Sequence, residues 1–362
     1  MPGKKRCPHC RDVRLEVNHY QGEEVDLCHH CGGLWFEKSN LDTLIAARCQ
    51  HTEEADYKAN LGSSLEPSHQ NCPDCHQPLQ IFHLLPDYHM DVEVCQRCDG
   101  AWVEKGTASK VVKSAAIKHA LNNMNQGTSW KTWIFQMLLQ MPVEYNVKAR
   151  STPWVTIALM VVNTLIFLAY GLDIHATNWV IEHFAIAPAD IQAGERWWTF
   201  VTTIFLHGSF LHLIGNMYFL WVTGDNLECA LGRWRFLGVY LVCGILAGAV
   251  SVLANLGSSI PSVGASGAIA GLFGMYLLWF PNASLTFMFF VWQKKLAVAW
   301  YFGIWLALNL LGMVLDGQGV DYWAHIGGFV VGLAIGGALR QTIWRRNPLL
   351  AHLAGPEVKV RR

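Results

Sequence analysis

The chain has 362 residues, 52% of them hydrophobic and only 15% charged, with 27 Lys+Arg balanced by 27 Asp+Glu. Soluble domains carry roughly 25% charged residues, so a wholly soluble chain is excluded, and zero net charge offers no general attraction for nucleic acid. The length allows two or three domains.

Charge and cysteine divide the chain. Residues 1–110 hold 11 Lys+Arg against 17 Asp+Glu, a net of −6, and beyond about residue 154 charges occur only in short clusters. Of the 11 cysteines, eight form four Cys-x-x-Cys pairs before residue 99, and Cys49, Cys229 and Cys243 stand alone. The start, Met-Pro-Gly-Lys-Lys-Arg, leads into a Cys-x-x-Cys and not into a secretory apolar core. A reducing, cytosolic setting for this region follows, where such pairs bind metal more often than they form disulfides.

Two self-similar units are visible. Cys7 and Cys10 are followed, after 17 intervening residues, by Cys28-His-His-Cys31-Gly-Gly-Leu-Trp-Phe-Glu-Lys. Cys72 and Cys75 are followed, after 19 intervening residues, by Cys95-Gln-Arg-Cys98-Asp-Gly-Ala-Trp-Val-Glu-Lys. Each set predicts four thiolates converging on one structural Zn²⁺, about two per chain, with no open coordination position for catalysis. Short β zinc ribbons are expected over 1–48 and 66–112. The units resemble the small zinc ribbons of a basal transcription factor. Phosphate contacts need a Lys/Arg excess that this region lacks, so a cytosolic protein partner is expected and nucleic acid is not.

Residues 113–150 combine Lys113, Lys118, Lys131, Lys148 and Arg150 with Trp130, Trp133, Ile134, Phe135, Met137, Leu138 and Leu139. They predict a segment lying on the membrane surface, or else a helix packed on the ribbons. Apolar spans are expected at 154–172, 199–221, 235–255, 266–280, 297–315 and 322–340. The loop holding Trp179, Phe184 and Arg196-Trp197-Trp198 is too polar to span. Lys148, Arg150, Arg233, Arg235, Lys294, Lys295, Arg340, Arg345 and Arg346 share one side. Across from them lie Arg196, Glu195, Asp316, Asp321 and the uncharged run 255–265. An all-α domain of six spans over 151–345 follows, with both termini and the 346–362 tail in the cytosol.

The span opening at Ser266 is short, roughly 22 Å at 1.5 Å per residue against a core of about 30 Å. Its first residue is therefore expected below the membrane surface. Gly267/Gly271, Ala270/Gly274 and Gly328/Gly332/Gly336 form small-xxx-small faces that let two helices approach closely. They would bring Ser266 to His325, a hydroxyl to a base, with no carboxylate placed as a third member. His212 and Asn216, four apart on one helix face, and the Ser266 backbone N–H are candidate oxyanion donors, with His207 just before them. Asn163 and Asn309 read as interhelical ties. A metal or ion site at His207, His212 and Asn216, with His325 in a transport role, is the competing reading.

His207-x4-His212-x3-Asn216, then Gly264-x-Ser266-Gly267, then Ala324-His325-x-x-Gly328, resembles the rhomboid family of intramembrane serine proteases over about 150–342. Glu228 with Gly232-Arg233 and Arg196-Trp197-Trp198 are similar to that family as well. The resemblance implies a six-helix fold with Ser266 as nucleophile and His325 as base, and no catalytic cofactor. His212, Asn216 and Gly264 would form the oxyanion site with support from His207. Single-span membrane proteins would be the substrates, cut near the non-cytosolic end of the helix within a cell inner membrane. Ala270 departs from the pattern, in which an aromatic stacks on the histidine. A membrane adaptor that binds spanning proteins without cutting them is the alternative.

Overall fold

The computed structural model describes residues 5–47, 56–125, 130–139, 142–144, 151–289, 292–315 and 319–360. Cys49, Lys148, Arg150 and Asp316 lie outside them. The chain forms two compact units, one of Met1–Gly127 with Leu349–Arg361 and one of Thr128–Pro348.

The first unit is built on one antiparallel sheet. Its strands are β1 (Glu16–Tyr20), β2 (Glu23–Leu27), β3 (Leu34–Phe36), β4 (Ser64–Asn71), β5 (Pro78–Leu85), β6 (Tyr88–Val94) and β7 (Ala101–Val103). They lie in the order β1-β2-β3-β7-β6-β5-β4. The two repeats are thus fused into a seven-stranded sheet through β3 and β7, and are not separate ribbons. Alternation explains the inner faces. Tyr88, Met90, Val92 and Val94 of β6 are buried while His89 and Asp91 between them are exposed.

The repeated Gly-x-Trp accounts for the fusion. Trp35 faces Trp102 across the β3–β7 pair. A Cβ on Gly33 would stand 2.2 Å from the Trp102 ring, and one on Gly100 would stand 2.2 Å from the Trp35 ring. Each repeat's glycine makes room for the other's indole, and the Trp35 Nε1–H donates to Asp74 of the second repeat at 2.8 Å. Lys5 adds ion pairs to Asp26, Glu37 and Asp74.

Three helices cover the sheet: α1 (Lys38–Ala46), α2 (Ala108–Val112) and α3 (Ser114–Asn125). Leu41, Leu44 and Ile45 of α1, and Ile117, Leu121 and Met124 of α3, enter the common core at helical spacing. The stretch expected to lie on the membrane therefore divides: its first part is core of this unit. Its second part, α4 (Trp130–Leu139), belongs to the other unit. The C-terminal segment is no free tail either. After Pro348, Leu349, Leu353, Val358 and Val360 join the same core. The His89 N–H donates to the Glu357 carbonyl at 2.7 Å and the Lys359 N–H to the Asp87 carbonyl at 2.9 Å. Lys110 pairs with Glu357.

The second unit continues with β8 (Val143–Glu144), α5 (Trp154–Tyr170), α6 (Ile174–Phe184), α7 (Pro188–Gln192), α8 (Thr199–Thr202), α9 (Phe210–Leu231), α10 (Arg233–Ala254) and α11 (Ser266–Trp279). It ends with β9 (Ser284–Phe289), β10 (Trp292–Ala297), α12 (Val298–Val314) and α13 (Tyr322–Arg346), after which α14 (Pro348–Leu353) returns the chain to the first unit. By length and composition, α10 and α13 are long and apolar enough to cross a membrane. The α8 stretch and α9 form a third span if counted together, and α5, α11 and α12 are shorter apolar helices.

The span expected at 199–221 is corrected. Thr199–Phe205 and Phe210–Leu231 meet at a 92° bend, and α9 runs on to Leu231. The bend falls at Gly208 and Ser209, where the Ser209 hydroxyl caps α9 by accepting from the His212 N–H at 3.2 Å. The polar loop before it holds α6 and α7, with Trp179, Trp197 and Trp198 exposed and Arg196 paired to Asp190 at 3.1 Å. Buried Glu228 of α9 caps α5, accepting from the Val155 and Thr156 N–H groups at 3.0 and 2.8 Å and from the Thr156 hydroxyl at 2.9 Å.

Candidate active site and metal centres

The close approach of α11 and α13 sets the site. A Cβ on Gly328 would stand 2.1 Å from the Gly267 carbonyl oxygen, and one on Gly332 would stand 1.9 Å from that of Gly271. Backbone therefore lies on backbone, as the small-residue faces predict. Ser266 is the first residue of α11 and His325 lies in the first turn of α13. His325 Nε2 is 2.8 Å from Ser266 Oγ.

The surroundings of the pair come from the loop at Gly264, from α9 and from the turn that precedes α9. Gly264 has φ +133°, a region open to glycine, and its N–H donates to the Thr203 carbonyl at 3.0 Å. A Cβ there would meet the His212 ring at 2.9 Å and Ser266 Oγ at 3.5 Å, so the His212 imidazole lies beside the serine's approach. One turn along α9, Asn216 is buried, and its Nδ2 has no hydrogen-bond partner among the described residues. Buried His207 stands edge-on to His212 with ring centroids 5.3 Å apart. Its backbone is held by the Tyr170 hydroxyl, which accepts from the His207 N–H at 2.7 Å and donates to its carbonyl at 2.9 Å.

Three residues that sequence reasoning left outside the site join it. Asn309 Oδ1 lies 2.7 Å from His325 Nδ1. The Trp305 ring, one turn earlier on α12, lies 5.8 Å from that of His325, an aromatic neighbour where Ala270 supplies none. Asp321 accepts from the Ser251 and Ser262 hydroxyls, each at 2.6 Å, and caps α13 at the Ala324 N–H at 2.9 Å. It thereby ties the loop leading to Ser266 to the helix of His325. The rule that marks His325, a polar group in an apolar helix, applies equally to Asn309.

The rhomboid domain pattern matches residues 194–342, the span that contains every one of these groups except Tyr170. The chain carries a rhomboid domain. Before it, a transcription-factor zinc finger matches residues 6–47 and 71–114. RHOMBOID-like protein 5 of Arabidopsis thaliana is 35% identical over 146 residues, covering 40% of this chain and 45% of its own. Rhomboid protein 1, mitochondrial, of Saccharomyces cerevisiae is 32% identical over 165 residues, 43% of this chain and 45% of its own. The human presenilin-associated rhomboid-like protein, mitochondrial, is 32% identical over 195 residues, 53% and 50%. The chain spans about half the length of the curated relatives it matches.

Outside the rhomboid domain, the two cysteine sets are gathered as the spacing predicts. In each, one sulfur per residue lies within 4.8 Å of all the others. Cys7–Cys31 and Cys10–Cys28 sulfurs are 3.7 and 3.9 Å apart, and Cys72–Cys98 and Cys75–Cys95 are 3.5 and 3.2 Å apart. A tetrahedral ion with metal–sulfur bonds of about 2.3 Å requires edges of about 3.8 Å, so the residues fit the metal. The Cys10 N–H points at Cys7 Sγ and that of Cys75 at Cys72 Sγ, donors suited to thiolates. Burial pushes the Cys7 and Cys72 thiols up. At Cys28, burial is outweighed by the Cys31 and His30 N–H donors, and its pKa falls to about 7. Thiols must lose their protons to hold a cation, so metal binding at these clusters is linked to pH.

Proposed function

We propose that this rhomboid domain is an intramembrane serine protease, with Ser266 as nucleophile and His325 as general base. The carrying observation is the 2.8 Å contact between Ser266 Oγ and His325 Nε2. The Ser266 hydroxyl proton passes to Nε2 as Oγ bonds to the substrate carbonyl carbon. The carbonyl electrons become an oxyanion. Asn216 Nδ2–H, the His212 ring and the Ser266 N–H at the helix start receive it; that N–H has no partner within its own helix. Collapse breaks the C–N bond, and His325 gives its proton to the departing amine. Water, activated by the same imidazole, then hydrolyses the acyl ester. No metal takes part.

The substrates are single-span membrane proteins, opened near the non-cytosolic end of their helix where weak helix formers let the strand unwind. The domain crosses the bilayer six times, in the inner membrane of a cell. An even number of crossings is supported by the first unit, which contains both Met1–Gly127 and Leu349–Arg361 and so keeps both ends of the rhomboid domain on one side. The thiol clusters favour the reducing, cytosolic side. Each cluster holds a structural Zn²⁺, and the unit they stabilise docks a cytosolic protein. Its acidic balance disfavours nucleic acid.

The test is labelling by a fluorophosphonate, with cleavage of a model transmembrane substrate, in membranes containing wild type, Ser266→Ala or His325→Ala. Both substitutions are expected to abolish both signals with expression retained. Cleavage by either variant defeats the reading, and a wild type that binds spanning proteins without labelling is an adaptor instead.

A further inference from the structure

Of the side chains that touch His325, two come from α12. Asn309, which is 7% exposed, meets Nδ1 through Oδ1 at 2.7 Å. Its amide has no freedom to turn over. Nδ2 donates to the Trp305 carbonyl at 2.8 Å, and a flipped amide would set Oδ1 against that carbonyl, acceptor against acceptor. Oδ1 must therefore accept, and Nδ1 must carry the proton. A neutral imidazole protonated on Nδ1 has its lone pair on Nε2, the atom facing Ser266 Oγ. Without this acceptor the proton is free to sit on Nε2, and the ring would then donate to the serine and not accept from it. The Trp305 ring packs near the imidazole, tilted 35° to it with centroids 5.8 Å apart.

We propose that Asn309 is a positioning residue for His325, fixing tautomer and orientation from a helix that carries neither member of the reacting pair. The proposal rests on the Ser266–His325 reading. It makes the competence of the base depend on where α12 sits, because Asn309 and Trp305 are one turn apart on that helix. The carbonyl dipole also favours the imidazolium that forms when Nε2 takes the serine proton. A neutral amide does this without a buried carboxylate's desolvation cost.

The experiment compares Asn309→Leu, which keeps the volume and removes the acceptor, with Asn309→Asp, which keeps it. Full-length protein in lipid vesicles is assayed for kcat and KM on a model transmembrane substrate, for fluorophosphonate labelling rate and for thermal stability. The leucine variant is expected to lose roughly tenfold to a hundredfold in kcat and labelling rate with KM unchanged, and the aspartate variant to regain most of it. A residue that only ties helices together would show parallel losses in both variants, following stability, and that result overturns the proposal. So does a leucine variant as active as wild type. If the leucine variant does not accumulate, Asn309→Ala is read in its place. Ser266→Ala runs alongside: a wild type no more active than that control defeats the protease reading itself, and the proposal falls with it.

Discussion

A methyl group at Gly328 tests whether the backbone contact of α11 and α13 sets the reacting distance. In Gly328→Ala the new Cβ begins 2.1 Å from the Gly267 carbonyl oxygen, and real Cβ contacts are not found under 3.0 Å. The helices must part by at least the difference, 0.9 Å. Gly328 is three residues beyond His325 and Gly267 adjoins Ser266, so nearly all of that movement reaches the pair. Its 2.8 Å separation grows to about 3.7 Å, outside hydrogen-bond range. A misplacement of this size costs about a hundredfold in rate, and the overpacking about 1–3 kcal/mol in stability. Gly337→Ala is the control, since a Cβ there meets nothing within 4 Å. Both variants are reconstituted in vesicles and followed by substrate cleavage and by fluorophosphonate labelling. If Gly328→Ala turns over at the wild-type rate, the reacting distance is not set by this contact.

Metal analysis of the purified chain should give about two zinc atoms, and Cys72→Ser about one; absence of zinc from wild type contradicts the four-thiolate reading. Gly100→Ala drives a Cβ to 2.2 Å from the Trp35 ring and should cost about 2–3 kcal/mol, read as faster zinc loss to a chelator from both clusters. Loss confined to one cluster would mean that the repeats do not interlock. His352 carries a pKa lowered to about 4 by burial and by Lys113 and Lys110, with Glu357 acting in the opposite direction. Its seated form refuses a proton that the released form accepts near 6.5, so seating is fully favourable above pH 6.5 and weakens as pH falls toward 4. Partial exposure reduces the effect to about 1–2 kcal/mol. Proteolysis of residues 349–360 should therefore quicken over that range, and His352→Leu should remove the pH dependence; an unchanged dependence in that variant refutes the assignment.

How far the fold could be read before the structure depended on whether the deciding signal was local. Cysteine spacing is local, and both clusters are where it places them. Helix approach is encoded by glycines at fixed intervals, so the meeting of Ser266 and His325 followed from two short segments. The partner of His325 Nδ1 was different: any helix can supply an acceptor, and only packing selects Asn309. The fused sheet is a long-range pairing too. Its trace in the sequence was the repeat's extension past the cysteines to Gly-x-Trp, which metal binding alone does not require. The bend before α9 was hidden because apolar residues continue through it, and hydropathy does not register direction. The seating of the C-terminal segment rests on Leu349, Leu353, Glu357 and Val358, a mixture with no period to notice.

That seated segment has a consequence for how the chain is made. Residues 349–360 are synthesised after α13, yet Val358 lies in a core whose other walls come from residues 25–124. Until residues 349–360 have been made, Tyr88 of β6 lacks the Val358 backbone that bridges to it. The core of the first unit therefore closes only after α13 has been synthesised, and so only on a chain that already carries residues 194–342. A chain stalled partway exposes an unfinished apolar surface, the kind of mark by which degradation machinery separates half-built membrane proteins from finished ones.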